Sequence, residues 1–323
     1  MPCSLGDGML SDVREQPIGV RFLRRVVEGH LRFPLLLVGP EGVGRRFSVM
    51  QTAREVFCSS REPNCQCTDC HQLLKGVHPD YRLIEAPEDG DVGVNEIREM
   101  IENSYSYPQS APFKFVVIDG ADHMTPSAAN ALLKTLEEPP VTTRFFLLAD
   151  SAKDVLPTIR SRCGEVYYGP LSDSFVGEIL RRHESNPDRA FVYCRIAGGS
   201  VGNAIKLWGS GKLSLRSHLT TMLESYAKGD LPSSFGKVDD VSKDLGPALL
   251  ILESMLFDMT VIGANRGQVT HRDLEEDLRR IHGFRPLGWT RLLEEIRHLR
   301  SFKRTSRVNL AFHLKTALVT AAG

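Results

Sequence analysis

The stretch LLLVGPEGVGRRF, residues 35–47, gives the first indication of the fold. A short apolar run typical of a buried strand leads into a glycine-rich turn, and the residues after the turn are compatible with a helix. The turn has the spacing of a phosphate-binding loop, G-x-x-x-x-G-K-[ST], in which backbone N–H groups face an anion. Arg45 and Arg46 stand where that loop has its lysine and its hydroxyl residue. The stretch therefore predicts a strand–loop–helix unit with altered phosphate chemistry.

Four further apolar runs continue this pattern: YRLIEA (81–86), KFVVIDG (114–120), RFFLLAD (144–150) and EVYYG (165–169). Their continuous apolar character predicts strands buried on both faces, as in a parallel sheet that is covered by helices. Helix-compatible segments lie between the runs, and SAANALLKTLEE (127–138) ends at a Pro-Pro pair that cannot continue a helix. The alternation predicts an α/β domain with right-handed crossovers.

The second half of the chain has a different pattern, because the strand signal ends at Gly169 and helix-compatible segments follow to the end. We predict three parts: an α/β domain over 1–169, a small helical domain over 170–211 and a helical bundle over 212–323. The second boundary is placed at GSGKLS (209–214), since glycine and serine mark connections.

The composition limits the possible functions. The 323 residues include 40 basic and 40 acidic side chains, so that nucleic-acid binding must come from a local patch and not from net charge. Neither a secretory signal nor an apolar run near 18 residues is evident, and we expect a cytosolic protein without a membrane span. In the cytosol, clustered cysteines bind metals more often than they form disulfides.

The glycine loop is the first candidate site. A phosphate-loop lysine reaches the β- and γ-phosphates and the Ser/Thr hydroxyl holds magnesium, whereas an arginine at the second position cannot ligate the metal. The acidic residue Asp119 ends the KFVVID run, but Gly120 replaces the glutamate that usually activates water. The site is therefore either a weak, non-hydrolytic nucleotide site or a turn kept for packing. Its candidate residues are Gly39, Gly42, Gly44, Arg45, Arg46 and Asp119.

The second candidate site is the cysteine cluster CSSREPNCQCTDC, which contains Cys58, Cys65, Cys67 and Cys70. Four thiolates within thirteen residues can close a tetrahedral, structural zinc site. The C-x-C half is tight, so that His71 or His78 could replace one sulfur. A set of reduced, unliganded thiols is the alternative.

A third candidate lies in LPTIRSRC (156–163), where two arginines precede the last predicted strand. A lone arginine is usually a solvated surface residue. Offered to the nucleotide of another subunit, an arginine can instead stabilise the charge on a transferring phosphoryl group. The stretch alone favours neither interpretation.

Together these stretches resemble the clamp-loader family of the AAA+ class, known from bacterial DNA polymerase III. The resemblance covers roughly residues 17–210 and rests on GPEGVG, the cysteine module with HPDY, VVIDGADHMT, ANALLKTLEEPP, LPTIRSRC and AGGSVGNA. It implies an AAA+ parallel-sheet domain with an inserted zinc module, an all-α lid and an all-α collar. Beyond residue 210, only VNLAFHLKTAL resembles the family.

Within the family, the resemblance implies a subunit that is not an ATPase by itself. Motor subunits have a loop Lys and Thr, an Asp-Glu pair and a sensor Arg where this chain has Arg45, Arg46, Gly120 and Gly202. By the same resemblance, Arg162 is the arginine finger for a neighbouring motor subunit. The implied partners are gamma/tau and delta subunits in a hetero-pentamer, a sliding clamp and primed DNA.

The cysteine spacing departs from the family's usual C-x8-C-x2-C-x2-C, which leaves the identity of one ligand open. Two other functions are considered: an ATPase with an atypical loop, and a zinc-dependent nucleic-acid-binding module. The basic segment RLLEEIRHLRSFKRTSR (291–307) could support the second, but we interpret it as a solvated helix face in which Glu294 and Glu295 pair across turns.

Overall fold

The computed structural model describes residues 10–60, 65–87, 90–264, 267–284, 288–301 and 309–322. The chain divides into two compact units, Met1–Pro170 and Leu171–Gly323. The division inside the second unit, at residue 211, stays a prediction.

The first unit alternates strands and helices, as the apolar runs predict. Its strands are β1 (Leu35–Val38), β2 (Tyr81–Glu85), β3 (Lys114–Asp119), β4 (Thr143–Ala149) and β5 (Gly164–Tyr167). Its helices are α1 (Pro17–Val27), α2 (Arg45–Phe57), α3 (Thr68–Leu74), α4 (Val94–Ser104), α5 (Pro126–Glu137) and α6 (Pro157–Arg160), with short 3-10 turns at Leu10–Asp12, Ala121–His123 and Ala152–Asp154.

The five strands form one parallel sheet in the order β2-β3-β4-β1-β5. All residues of β1 and β4 are buried, which confirms the expectation of two covered faces for the centre of the sheet. The expectation is wrong for β2 and β5, where only some residues are buried, because these are the two edge strands. The sheet separates two apolar clusters of the first unit, one on each face.

Local sequence explains where α5 begins and ends. The Thr125 side chain accepts a hydrogen bond from the Ala128 N–H, and Pro126 occupies the first helical position. The helix ends at Glu137, before the Pro139-Pro140 pair. These two signals place Glu137 at the end of α5, where it contacts Arg162, as described below.

The second unit is helical in the residues that the structure describes. Its helices are α7 (Asp173–Leu180), α8 (Pro187–Ala197), α9 (Val201–Ser210), α10 (Leu215–Ala227), α11 (Leu231–Asp240), α12 (Leu245–Gly263), α13 (Glu275–Phe284), α14 (Trp289–Ser301) and α15 (Leu310–Ala322), with 3-10 turns at Lys212–Ser214, Ser242–Asp244 and Arg272–Leu274. They pack around one apolar cluster, in which Trp289 and Tyr226 make an edge-to-face ring contact.

The stretch Ser242–Gly263, which contains α12, is long and apolar enough to cross a membrane by length and composition alone. More than half of its apolar window is buried within the unit, as in the core helix of a globular protein. Its acidic residues also have partners there, because Glu253 pairs with Arg297 and Asp258 accepts the backbone N–H groups of Thr270 and His271. We therefore interpret α12 as a core helix.

Candidate functional site

The glycine loop connects β1 to α2, and two of its features require glycine. At Gly39, a Cβ would lie 2.3 Å from the carbonyl oxygen of Tyr168, which leaves no room for a side chain. Gly42 and Gly44 have φ angles of 78° and 100°, in the left-handed region that favours glycine. The loop thus has the close packing and backbone conformation that its sequence predicts.

Arg45 is the first residue of α2, and it turns towards the carboxyl end of β4. Its side chain is only 6% exposed, and its Nη2 donates to Oδ1 of Asp150, the residue that follows β4. A carboxylate of this chain therefore pairs with the guanidinium that stands at the phosphate-binding lysine position.

Arg46 makes the equivalent contact with the neighbouring strands. Its Nη1 donates to Glu85 Oε1 at the end of β2 and lies 3.9 Å from Asp119 Oδ2 at the end of β3. Asp119 is the residue that would help to hold magnesium in a phosphate-loop ATPase. In this chain a guanidinium lies beside that carboxylate, which supplies positive charge without a metal.

The position after Asp119 does not accommodate the glutamate of an ATPase without strain. Gly120 has a φ of 101°, a conformation that L-residues rarely adopt. A Cβ at Gly120 would lie 2.8 Å from the Cβ of Ala86, closer than a normal contact. The backbone here is therefore adapted to glycine.

Asp122 is a buried carboxylate near the loop, and the sequence analysis did not select it. Its Oδ2 accepts the backbone N–H of Asp150 at 2.8 Å, and its Oδ1 is buried without a hydrogen-bond partner. Burial, and after it the negative charge of Asp150, raises the pKa of the Asp122 carboxyl. A signal was available, because Asp122 lies three residues after Asp119, close to the edge at which the parallel strands end.

The four clustered cysteines come together between α2 and β2. Cys58 follows the end of α2, Cys67 precedes α3 and Cys70 lies within α3. The sulfurs of Cys58, Cys65, Cys67 and Cys70 all lie within 4.8 Å of one another. Tetrahedral zinc with Zn–S bonds of about 2.3 Å needs S···S separations of about 3.8 Å. The cluster is therefore of the right size and donor type to hold one metal ion.

The two histidines considered as replacement ligands are placed differently from the cysteines. His78 is buried, its ring stacks on Phe57, and its Nε2 lies 3.3 Å from Asp69 Oδ1. Its Nδ1 accepts the Asp80 N–H at 3.0 Å. Both ring nitrogens of His78 are thus engaged, and His71 lies exposed on α3. The candidate ligand set is the four cysteines, including Cys65.

Arg162 lies between α6 and β5, at the edge of the sheet where the strands begin. Its Nε donates to Glu137 Oε1 at 2.7 Å, and its Nη1 donates to the Thr158 carbonyl at 2.8 Å. The side chains of Arg162 and Glu137 are 29% and 49% exposed, respectively. The neighbouring Arg160 pairs instead with Glu165 of β5 at 2.8 Å. Burial, and after it the charge of Glu165, raises the pKa of the Cys163 thiol to about 12, which favours the protonated thiol.

The basic segment 291–307 coincides with α14 up to Ser301, and residues 302–308 lie outside the described residues. Arg297 and Arg300 pair with Glu253 of α12. At least these two arginines therefore have an acidic partner within the second unit.

The sheet and the loop between β1 and α2 define the class of this chain as a parallel α/β protein with a phosphate-loop-type turn, followed by a helical unit. A family model described as DNA polymerase III, delta subunit, matches residues 16–172. The DNA polymerase III subunit delta' of Escherichia coli (strain K12) is 32% identical over 248 residues, which cover 74% of this chain and 73% of that protein.

The DNA polymerase III subunit delta' of Yersinia pestis is 31% identical over 236 residues, 69% of this chain and 68% of that protein. The subunit gamma of Buchnera aphidicola subsp. Schizaphis graminum is 31% identical over 204 residues, 59% and 56% of the two chains. The chain belongs to the DNA polymerase III delta-prime subunit family.

Proposed function

We propose that this chain is a non-hydrolytic subunit of a clamp loader and supplies Arg162 as an arginine finger to the ATP site of a neighbouring subunit. The observation that carries the proposal is the position of Arg162 relative to the chain's own loop. Gly164, two residues after Arg162, pairs with Leu35 at the start of β1, whereas the loop follows Val38 at the end of β1. The strand, about 10 Å long for three residue steps, separates the two sites.

Because β1 and β5 are parallel, Arg162 and the glycine loop lie at opposite edges of the same sheet. An arginine placed there is poorly positioned to serve its own loop and well positioned to serve another chain docked at that edge. Glu137 holds the guanidinium in the isolated chain, and in the assembly a nucleotide phosphate of the neighbour would take its place.

Three features support the absence of hydrolysis at the chain's own loop. Arg46 lies beside Asp119, where a magnesium ion would be held. Arg45 is paired with Asp150. Gly120 has a backbone conformation unsuited to glutamate. Without a metal and a group to orient water, little remains that could accelerate phosphoryl transfer.

The assembly proposed is a hetero-pentamer with gamma/tau motor subunits and a delta subunit, in the bacterial cytoplasm. Its ATP-driven work is to open a sliding clamp and place it on primed DNA, as a part of the DNA polymerase III holoenzyme. Residues 170–211 would form the lid, and residues 212–323 would supply the collar that joins the subunits. A zinc ion held by Cys58, Cys65, Cys67 and Cys70 would stabilise the segment between α2 and β2, and its role is structural.

The test is reconstitution with the gamma/tau and delta homologues of the same host, followed by measurement of ATP turnover with clamp and primed DNA. Arg162→Ala is expected to leave assembly intact and to slow turnover at the neighbouring ATP site by about 10³-fold or more, the usual contribution of an arginine finger. Arg160→Ala, two residues away and paired with Glu165, is the matched control and should retain turnover. Unchanged turnover in the Arg162→Ala complex would exclude the finger.

A second candidate function is retention of a nucleotide without turnover. One observation favours it: Nη1 of Arg45 is buried and has no hydrogen-bond partner among the described residues. A buried guanidinium nitrogen at the start of a helix, behind a glycine loop, could donate to a phosphate oxygen. Calorimetric titration of the isolated chain with ATP, with and without magnesium, tests this function, and absence of binding heat in both experiments excludes it.

A further inference from the structure

A cavity of about 790 Å³ lies within the second unit. Its walls come from α8 with its cap (186–193), from the turn before α10 with the first residues of that helix (211–216), and from the segment before α13 (270–273). Cavities that bind small molecules commonly have volumes of about 300–1,000 Å³. The cavity is therefore large enough for an organic ligand, and its walls join residues on both sides of the boundary predicted at residue 211.

Part of the wall is apolar. Phe191, Val192 and Tyr193 of α8 line the cavity together with Leu213. Val192 and Tyr193 are buried in the apolar cluster of the unit, and Phe191 and Leu213 are partly buried and pack against that cluster. Small-molecule sites are typically lined by apolar and aromatic side chains with a few polar groups among them. This wall favours a ligand with an apolar or aromatic body.

The charged side chains of the cavity carry an excess of positive charge. Nη1 and Nη2 of Arg216 donate to Oδ1 and Oδ2 of Asp273, each at 2.8 Å, so that these two residues neutralise each other. Arg189 and Arg272 also line the cavity, and neither has an ion pair within the part of the chain that the structure describes. Asp188 is the remaining carboxylate of the wall. Two cations thus stand against one anion.

The position of Arg272 brings positive charge next to the apolar wall. Its guanidinium carbon lies 4.8 Å from the centroid of the Phe191 ring. A cation over the face of an aromatic ring is attracted by the ring quadrupole, which holds the charge beside the ring. An anion bound at Arg272 would therefore have an apolar surface next to it.

His271, which contacts Arg216, adds no charge to the cavity at neutral pH. Its ring is buried, and Nδ1 lies 3.4 Å from Nη1 of Arg216. Burial, and after it the charge of Arg216, lowers the pKa of His271 to about 3. The neutral imidazole accepts at Nδ1, since a guanidinium has only donors. Because Arg216 is engaged by both His271 and Asp273, the binding of an anion is left to Arg189 and Arg272.

We propose that this cavity binds a small organic phosphate, whose phosphate group accepts hydrogen bonds from Arg189 and Arg272 and whose apolar body lies against Phe191 and Tyr193. The guanidinium fork matches the geometry of phosphate oxygens. A phosphate group has three acceptor oxygens and can be shared by two guanidinium groups. A carboxylate, in contrast, is satisfied by one, as Asp273 shows with Arg216. This site is independent of the glycine loop and of Arg162.

The experiment titrates the full-length chain with phenyl phosphate and follows the leucine and valine methyl resonances by NMR. Val192 and Leu213 report on the cavity, and Val43 reports on the glycine loop. Phenyl phosphate is expected to shift the Val192 and Leu213 resonances in a saturable way. Inorganic phosphate should bind about tenfold more weakly or less, because it lacks a body that the apolar wall can bury. Benzoate, which keeps the ring but has a carboxylate, should also bind more weakly.

Variants of the wall test the role of each charge. Arg189→Gln and Arg272→Gln are each expected to weaken the binding of phenyl phosphate by about tenfold or more, since each removes a charged donor. Asp188→Asn should strengthen it by about two- to fivefold, because it removes a like charge. Arg98→Gln, at an exposed arginine of α4, is the matched control and should bind as wild type does.

Three results would overturn the proposal. The first is the absence of saturable shifts at Val192 and Leu213, or shifts confined to Val43. The second is equal affinity for benzoate and phenyl phosphate, which would show that the site does not select phosphate. The third is wild-type affinity in both Arg189→Gln and Arg272→Gln, which would show that these arginines do not hold the anion.

Discussion

The arginines at the two edges of the parallel sheet form ion pairs that differ in their exposure to solvent. Where the strands end, Arg45 is buried and paired with Asp150, whereas Arg46 and its partner Glu85 are about half-exposed. Where the strands begin, Arg162 is paired with the half-exposed Glu137. A buried pair is costly to break, whereas an exposed pair contributes little and exchanges easily. The Arg45 cation is thus neutralised by a pair inside the chain, whereas the pair that holds Arg162 is one that another molecule could exchange.

The largest expected effect comes from breaking the buried pair. Asp150→Ala would leave the Arg45 guanidinium buried without its carboxylate, and removal of one partner of a buried pair costs about 3–5 kcal/mol. Because Asp150 is 35% exposed, water can enter, and we expect about 3 kcal/mol. Denaturant unfolding of the isolated chain measures the loss. Asp154→Ala, at an exposed aspartate nearby, is the control and should be close to neutral. Equal stability of the two variants would contradict the difference between the edges.

The second effect is a loss of stability at Gly120, which lies at the edge of the sheet where the strands end. Gly120→Ala should lower the free energy of unfolding by about 1–3 kcal/mol, because the left-handed backbone and the contact with Ala86 both oppose a side chain. Gly229→Ala is a matched control, since Gly229 has a φ of 81° with open space around its Cβ position. A larger loss at Gly120 than at Gly229 isolates the contact with Ala86. Gly120→Glu should also leave the isolated chain without ATP turnover. Measurable turnover in this variant would show that the backbone at position 120 accepts the glutamate of an ATPase.

Strand positions and the edge at which each candidate residue lies could be predicted from the sequence, because apolar runs and the glycine loop are local signals. The partners of the arginines could not be predicted from the sequence. Arg45 and Asp150 are 105 residues apart, and Arg162 and Glu137 are 25 residues apart. Such contacts depend on strand order, which no local pattern of this chain specifies. The grouping of Cys65 with the other cysteines also required the structure, since its spacing departs from the family pattern.

The third effect is a pH dependence of stability that comes from Asp122, near the edge of the sheet where the strands end. Burial and Asp150 raise the pKa of Asp122 in the folded chain above its unfolded value, which is near 3.9. Folding therefore favours the protonated carboxyl, and the cost of the ionised form appears as the pH rises above about 4. Asp122→Asn should stabilise the chain at pH 7, by on the order of 1 kcal/mol, and the gain should vanish near pH 3. Denaturant unfolding at both pH values measures it. A gain independent of pH would assign the effect to packing and not to charge.

The smallest effect on stability is expected at the edge that carries Arg162. Glu137→Gln should change the free energy of unfolding by less than about 1 kcal/mol, because the pair is solvent-exposed. Glu138→Gln, the next residue, is the matched control. In the reconstituted complex, Glu137→Gln should retain or raise ATP turnover, since Arg162 then gives up a weaker partner when it moves to a phosphate. If turnover falls as far as in Arg162→Ala, Glu137 positions the finger in the assembly and does not merely hold it in the isolated chain.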